Sequence, residues 1–179
     1  MNLSVVIVAF KSSHLLEKLI TAIPENNEII IIENSLDTKI KERFKNYKNV
    51  DVVIPKENLG YGKSFNLGLK LSKNNFTCFL SPDVDIPKGC FENINNIIKD
   101  IKNFAVLAPT FIDETIHKNY QIKNKQFLKN LIVKNFKLIE VDEIDFAMSI
   151  VNKSNIEDNN LMDENFFLYF ESTDACLNL

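Results

Sequence analysis

Tryptophan is absent from this chain of 179 residues, histidine occurs twice, cysteine three times and glycine only four times. Each scarcity excludes something. Three scattered cysteines, Cys78, Cys90 and Cys176, have neither CxxC spacing nor an even count, which argues against a disulfide frame or a zinc site and for reduced structural thiols. His14 and His117 stand alone, so spacing suggests no metal partner for either. No stretch approaches the roughly 18 to 20 apolar residues of a membrane span, and the N-terminal NLSVVIVAF has no basic leader or small-residue cleavage site. A cytoplasmic location is the expectation. Lysines are spread rather than gathered, and a net charge of −3 gives no footprint for nucleic acid. No internal repeat, low-complexity linker or second apolar core marks a domain boundary, so one domain over 1–179 is expected. The abundance of Asn, Lys, Ile and Phe reads as a compositional bias and not as function.

What is present alternates. Leu3 to Phe10 is a β-branched run that fits a strand covered on both faces, and Ser12 or Ser13 can cap the helix that follows. That helix carries Leu15, Leu16, Leu19, Ile20 and Ile23 at helical spacing until Pro24 ends it. Further strands are predicted at Glu28 to Ile32, Val50 to Ile54, Phe76 to Leu80 and about Phe104 to Pro109. Helices are predicted between them, around Ile40 and Phe44, from about Lys63 to Ser72, and from about Lys88 to Ile101. Residues 111–140 are lysine-rich and resist assignment, and Val141 to Val151 reads as a later strand, antiparallel to the others. Short buried strands alternating with helices predict an α/β, Rossmann-like, mostly parallel central sheet flanked by helices. The polar residues after each strand then gather at one edge, and Glu33, Asn34, Asn58, Gly60, Asp83 and Asp85 are expected in one crevice.

The segment FTCFLSPDVD, Phe76 to Asp85, is the most telling. An apolar strand breaks at Pro82 into two carboxylates, Asp83 and Asp85, which project past the strand's carboxyl end. Mg²⁺ or Mn²⁺ keeps waters and substrate phosphates in its shell, so one or two protein carboxylates suffice to hold it. A solvated acidic turn is the competing reading.

Four segments in order resemble the inverting family 2 glycosyltransferases, in particular the rhamnosyltransferase-like branch acting on bacterial surface polysaccharides. They are SVVIVAFKSSHLLEKLI, EIIIIENSLD, ENLGYGKSFNLGLKLS with FLSPDVDIP, and MDENFFLYFESTDACLNL, with Asn58, Gly60, Asn66 and Gly68 forming an NxGxxxxxNxG pattern. The resemblance implies the glycosyltransferase A fold, with a nucleotide-sugar-binding half (1–110) and an acceptor-side half (111–179) that is C-terminally short relative to the family. It places Ala9, Phe10 and Lys11 along the nucleotide pocket, and Glu33, with Asn34 beside it, where an Asp of the family contacts base or ribose. Asn58, Gly60, Lys63 and Asn66 fall near the diphosphate, Asp83 at the metal-ligand carboxylate, and Asp85 as an extra ligand. Asp163 and Glu164 fall at the acceptor pocket.

Each assignment has a plainer counterpart. Gly60 and Gly62 also suit a simple turn, Lys63 a solvated helix start, Glu33 a helix cap, Asp163 and Glu164 an exposed acidic pair, and the aromatics Phe166, Phe167, Tyr169 and Phe170 a piece of core.

By the same resemblance the reaction transfers a sugar, with inversion, from a nucleoside diphosphate donor to a saccharide or lipid-linked saccharide. A divalent cation assists, and an Asp of the acidic motif serves as base. Here Ser172 stands at that Asp and Asn178 at the Arg that usually follows. Serine takes no proton unaided, so either Glu171, first, or Asp174, second, acts as base, or the chain is an impaired, nucleotide-binding or interaction module. Peripheral contact with the inner face of a membrane and completion by another polypeptide are further expectations. A nucleotidyltransferase is disfavoured, because AFKSSH lacks the glycine- and basic-rich loop expected after its first strand.

Overall fold

The computed structural model describes residues 2–101, 103–111, 118–123, 130–133 and 136–179. His117 lies outside the described residues, as does much of the 111–140 stretch. Strands β1 (Ser4–Ala9), β2 (Glu28–Glu33), β3 (Val50–Val53) and β4 (Phe76–Leu80) alternate with helices α1 (Ser13–Ala22), α2 (Lys39–Phe44) and α3 (Gly60–Leu71). Helix α4 (Cys90–Asp100) and strand β5 (Val106–Leu107) follow. Next come β6 (Tyr120–Gln121), β7 (Asn130–Val133), β8 (Phe136–Ile139), β9 (Glu143–Ile144), β10 (Met148–Asn152) and helix α5 (Glu171–Leu177).

The main sheet has the order β3-β2-β1-β4-β10-β5, with β1 to β4 parallel and β10 antiparallel to both neighbours. Its central strands β1, β2, β4 and β10 are buried on both faces, the first three because their apolar runs are continuous. Val5, Ile7, Ile29 and Ile31 face one layer, holding Leu16 and Leu19 of α1 and Ile94 and Ile98 of α4. Val6, Ile30 and Ile32 face the other, holding Phe65 and Leu69 of α3 and Ala175 of α5. The two-residue period of a strand makes this division. Each fully buried Ile or Leu contributes on the order of 1.5–3 kcal/mol.

Strand β4 has the predicted limits, and β10 is antiparallel as expected. Several details differ. The predicted strand over 141–151 is broken at Asp145 to Ala147 into β9 and β10. Helix α3 begins at Gly60, three residues before the predicted Lys63, so Gly60 and Gly62 belong to its first turn. Ser12 occupies the α1 N-cap but makes no capping bond, and its Oγ is buried without a partner. The β4–β10 ladder continues one residue past β4, through Ser81 N donating to Ala147 O at 2.8 Å, before Pro82 ends it.

Candidate active site at the sheet's carboxyl edge

The parallel strands deliver their polar ends together. Ala9 pairs with Glu33, and Asn34 N donates to Ala9 O at 2.8 Å. Past Ala9 the chain turns at Lys11, whose φ is +53°, leaving Phe10 exposed with Lys11 Nζ 5.4 Å from its ring centre. Glu33 is fully buried. Its Oε1 accepts from Ser35 N at 2.8 Å and from Ser35 Oγ, while Oε2 has no partner. A buried carboxylate oxygen without a donor is costly, and a ligand donor would relieve it. Asn34 is committed within the chain, because its Nδ2 donates to Gly60 O at 3.1 Å and to Ser64 Oγ at 2.8 Å. It ties β2 to the start of α3. Asn58 Oδ1 accepts from Gly60 N at 3.0 Å and sets the turn into that helix.

Gly60 has φ +75°, and a Cβ there would lie 2.3 Å from Phe167 O. Tyr61 N donates to the same carbonyl at 3.0 Å. The close backbone approach that glycine permits is therefore made by the chain's own 160–167 segment. Lys63 is exposed on the first turn of α3.

Asn66 is the largest departure from expectation. It is fully buried, with Oδ1 accepting from Leu161 N at 3.1 Å and Met162 N at 3.0 Å. Its Nδ2 lies 2.8 Å from Met162 O, 2.5 Å from Asn160 Oδ1 and 3.2 Å from Glu164 Oε1. Both its donor and its acceptor are engaged with residues 160–164, and no group is left over for a diphosphate. Asp163 and Glu164 are likewise occupied. Asp163 Oδ1 accepts from Asn165 N at 2.9 Å, and Glu164 lies 3.9 Å from Lys70 Nζ. Neither lines the cavity described next.

The two carboxylates after β4 diverge. Residues Ser81 to Val84 form a turn, Val84 N donating to Ser81 O at 3.2 Å, with exposed Asp83 beyond Pro82. Asp85 instead forms an ion pair with Lys18 on α1. The expected pairing of Asp83 with Asp85 on one ion is thus replaced by a solvent-exposed pair across the opposite layer. Among the described residues no group of three or more His, Cys, Asp or Glu could enclose a metal. Asp83 fits a cation that takes one protein carboxylate and completes its shell with phosphates and water, and does not fit an all-protein cage.

A cavity of about 450 Å³ opens between the β9–β10 turn and the start of α5. Tyr61, Ser81, Lys118, Asp145, Glu171 and Ser172 are in its wall. Glu33, Asn58 and Asp83 are not, so this cavity does not gather the polar strand ends expected in one crevice. Tyr61 follows Gly60 of α3 into this wall. Burial raises its phenol above the usual range; a hydrogen bond with Ser81 opposes that, and the carboxylates of Asp145, Glu171 and Asp83 add to it. Glu171, the first residue of α5, is 5% exposed and its Oε2 has no partner. Asp174 is turned away from the cavity wall, with Asn178 Nδ2 3.3 Å from its Oδ2.

The neighbouring aromatics are not core. Phe167, Leu168, Tyr169 and Phe170 are each more than half exposed. Consecutive positive φ values at Tyr169 (69°) and Phe170 (66°) turn these side chains outward, a conformation costing on the order of 1–2 kcal/mol per residue. Sequence reasoning missed Tyr61 and Asp145. The legible signal for Asp145 was its place as the last of three acidic residues, Asp142, Glu143 and Asp145, in a run read as strand.

The sequence pattern of Glycosyl transferase family 2 matches residues 4–159. The chain belongs to that family. The fold agrees: the chain superposes on Staphylococcus aureus TarS 1-349 with a TM-score of 0.71 at 20% identity, over 99% of this chain and 55% of that one. It also matches a mannosyltransferase, PcManGT of Pyrobaculum calidifontis, in complex with GDP-Man and Mn²⁺. That match has a TM-score of 0.68 at 8% identity, over 97% of this chain and 50% of the other. The architecture is the glycosyltransferase A fold. Among curated relatives, the low-salt glycan biosynthesis hexosyltransferase Agl10 of Haloferax volcanii is 23% identical over 98% of this chain and 60% of its own length. The minor teichoic acid biosynthesis protein GgaB of Bacillus subtilis strain 168 is 31% identical over 56% of this chain and 12% of its own. The chain thus spans three fifths or less of each, and the family match stops at residue 159, before the acidic segment of 162–179. Among the described residues no helix is long and apolar enough to cross a membrane.

Proposed function

We propose that this family 2 glycosyltransferase chain transfers a sugar, with inversion, from a deoxythymidine or uridine diphosphate donor to a saccharide or lipid-linked saccharide in surface polysaccharide synthesis. This is the work of the rhamnosyltransferase-like branch. The observation that carries the reading is Glu171, a buried carboxylate with an unpartnered oxygen in the wall of a cavity that an acceptor could enter. A carboxylate so placed can take the proton of the attacking hydroxyl as it forms the new bond to the anomeric carbon and the diphosphate departs from the opposite face.

Glu33, through its free Oε2, and Ala9, Phe10 and Lys11 hold the nucleoside in this reading, and Lys63 and Asn58 lie toward the diphosphate. Asp83 is the protein ligand to Mg²⁺ or Mn²⁺, which when bound offsets negative charge on the diphosphate. Asn34 and Asn66 act as positioning residues, because their side-chain groups are spent on the chain itself. Residues 1–110 form the donor half and 111–179 the acceptor half, and the exposed aromatics of 167–170 suit contact with a membrane surface that carries the acceptor.

A second reading, a nucleotide-binding module without turnover, draws support from Ser172 and Asn178 at the acidic motif. One assay separates them: nucleoside diphosphate release from a panel of nucleotide sugars with Mn²⁺, with Asp83→Ala and Glu171→Ala as controls. Release lost in both variants supports the transferase. Binding without release supports the module, and release unaffected by Asp83→Ala rejects the metal assignment.

A further inference from the structure

We propose that the cavity beside α5 receives one sugar ring of the acceptor and that Asp145 makes it selective for rings without an acidic group. The inference rests on the transferase reading above and adds the substrate class. Among the described residues, charge in the cavity wall is unbalanced. Glu143 is compensated by Lys123 Nζ at 3.3 Å and by a hydrogen bond from Thr173 Oγ1. Asp145 and Glu171 are not compensated in this way. One oxygen of Asp145 accepts from Ala147 N at 2.9 Å, and among the described residues the other accepts nothing. Glu171 Oε2 is buried and unpartnered. Against these two carboxylates the described residues of the wall supply one lysine, Lys118, whose Nζ lies 5.6 Å over the Tyr120 ring.

Two free carboxylate acceptors beside aromatic rings match a polyhydroxyl ring, whose O–H or ammonium groups donate and whose C–H faces pack on Tyr61 or Tyr120. A uronate or phosphate-bearing ring would bring a third negative charge against two others, Glu171 buried and Asp145 exposed at the cavity mouth. The cavity's volume falls within the roughly 300–1,000 Å³ common for small-ligand sites. Asp145 is the residue on which selectivity can turn without loss of the fold, because Asn at this position keeps the oxygen that accepts from Ala147 N.

The test is a ligand-observed NMR titration of the whole chain at neutral pH with methyl glucoside, methyl glucosaminide and methyl glucuronide. The first two are expected to bind at least about tenfold more tightly than the glucuronide. Asp145→Asn is expected to shrink that gap to about threefold or less, with an unchanged circular dichroism spectrum. Equal or tighter binding of the glucuronide, binding of none of the three, or an undiminished gap in Asp145→Asn would overturn the proposal. Nucleoside diphosphate release measured in parallel keeps the two ideas apart. The expected ranking without release upholds ring selectivity while removing the transferase, whereas release without the ranking rejects the selectivity alone.

Discussion

Asn66 in α3 and Met162, 96 residues later, exchange two hydrogen bonds: Asn66 Nδ2 donates to Met162 O at 2.8 Å, and Met162 N donates to Asn66 Oδ1 at 3.0 Å. The side-chain amide thereby behaves as a strand edge would, satisfying the backbone of a segment that has no sheet partner. This pins residues 160–164 to the helix that starts under Phe167, and so fixes where α5 and Glu171 begin.

Removing that amide leaves Leu161 N and Met162 N without an acceptor. Asn66→Ala is expected to destabilise the protein by about 2–6 kcal/mol, since each of the two buried orphans costs roughly 1–3. Asn66→Asp keeps the acceptor but sets a buried carboxylate oxygen against Met162 O, Asn160 Oδ1 and Glu164 Oε1, and is expected to cost at least as much. Urea denaturation of the three proteins checks the order.

Two glycines of the same helix are held by contacts within the chain. A Cβ at Gly68 would lie 2.3 Å from Val6 Cγ1, and one at Gly60 would lie 2.3 Å from Phe167 O. Gly68→Ala and Gly60→Ala are each expected to cost about 1–3 kcal/mol. Only Gly60→Ala should also displace the 160–167 segment, because Tyr61 N bonds there. Amide exchange at Tyr61, faster in Gly60→Ala than in Gly68→Ala, distinguishes the two.

Glu28 gives the stability a defined pH dependence. Burial alone would raise its carboxyl, but bonds from Lys73 Nζ, Ser4 Oγ and Lys73 N together outweigh that and lower it. Lys73 is raised in turn, chiefly by its hydrogen bond to Glu28. A lowered carboxylate adds stability above its unfolded value, near 4.3, and loses it as pH falls through the lower folded value. The raised lysine adds stability below about 10.4 and loses it as pH rises through its higher folded value. The Tm difference between wild type and Glu28→Gln is therefore expected to be flat from about pH 5 to 9 and to shrink on both sides. The effect is small because Lys73 is exposed.

Much of the scaffold was legible because its strands are continuous apolar runs. Phe76 to Leu80 is fully buried, and its ends are marked by Asn75 on one side and Ser81 and Pro82 on the other. The start of α3 was not legible, since Gly60 and Gly62 look like turn residues and only the contact with Phe167 explains them. The same limit applies to Asn66: an Asn in an NxG pattern suggests a ligand contact, and its bonds to residues 94 to 98 positions away cannot be seen in local pattern. Phe166, Phe167, Tyr169 and Phe170 read as core by composition, but only Phe166 is half-buried, and left-handed backbone at Tyr169 and Phe170 accompanies the exposure of the rest. Asp145 was hidden among the acidic neighbours Asp142 and Glu143 ahead of an apolar run, although a carboxylate within a strand pattern is itself a mark of a break.

Ser172 tests whether the acidic motif lost or moved its base. Ser172→Asp restores a carboxylate beside Glu171 in the cavity wall. If Glu171 works as a substitute, the variant is expected to raise nucleoside diphosphate release by about tenfold or more over wild type, measured under saturating donor and acceptor. No gain would place the limitation elsewhere than at the base.

Glu171 itself gives the most direct test. The measurement is the single-turnover rate of nucleoside diphosphate formation by wild type and Glu171→Gln, with donor affinity determined alongside by calorimetry. The account predicts a rate at least about 100-fold lower in Glu171→Gln with donor affinity unchanged. A rate equal to that of wild type at the same donor affinity would contradict it.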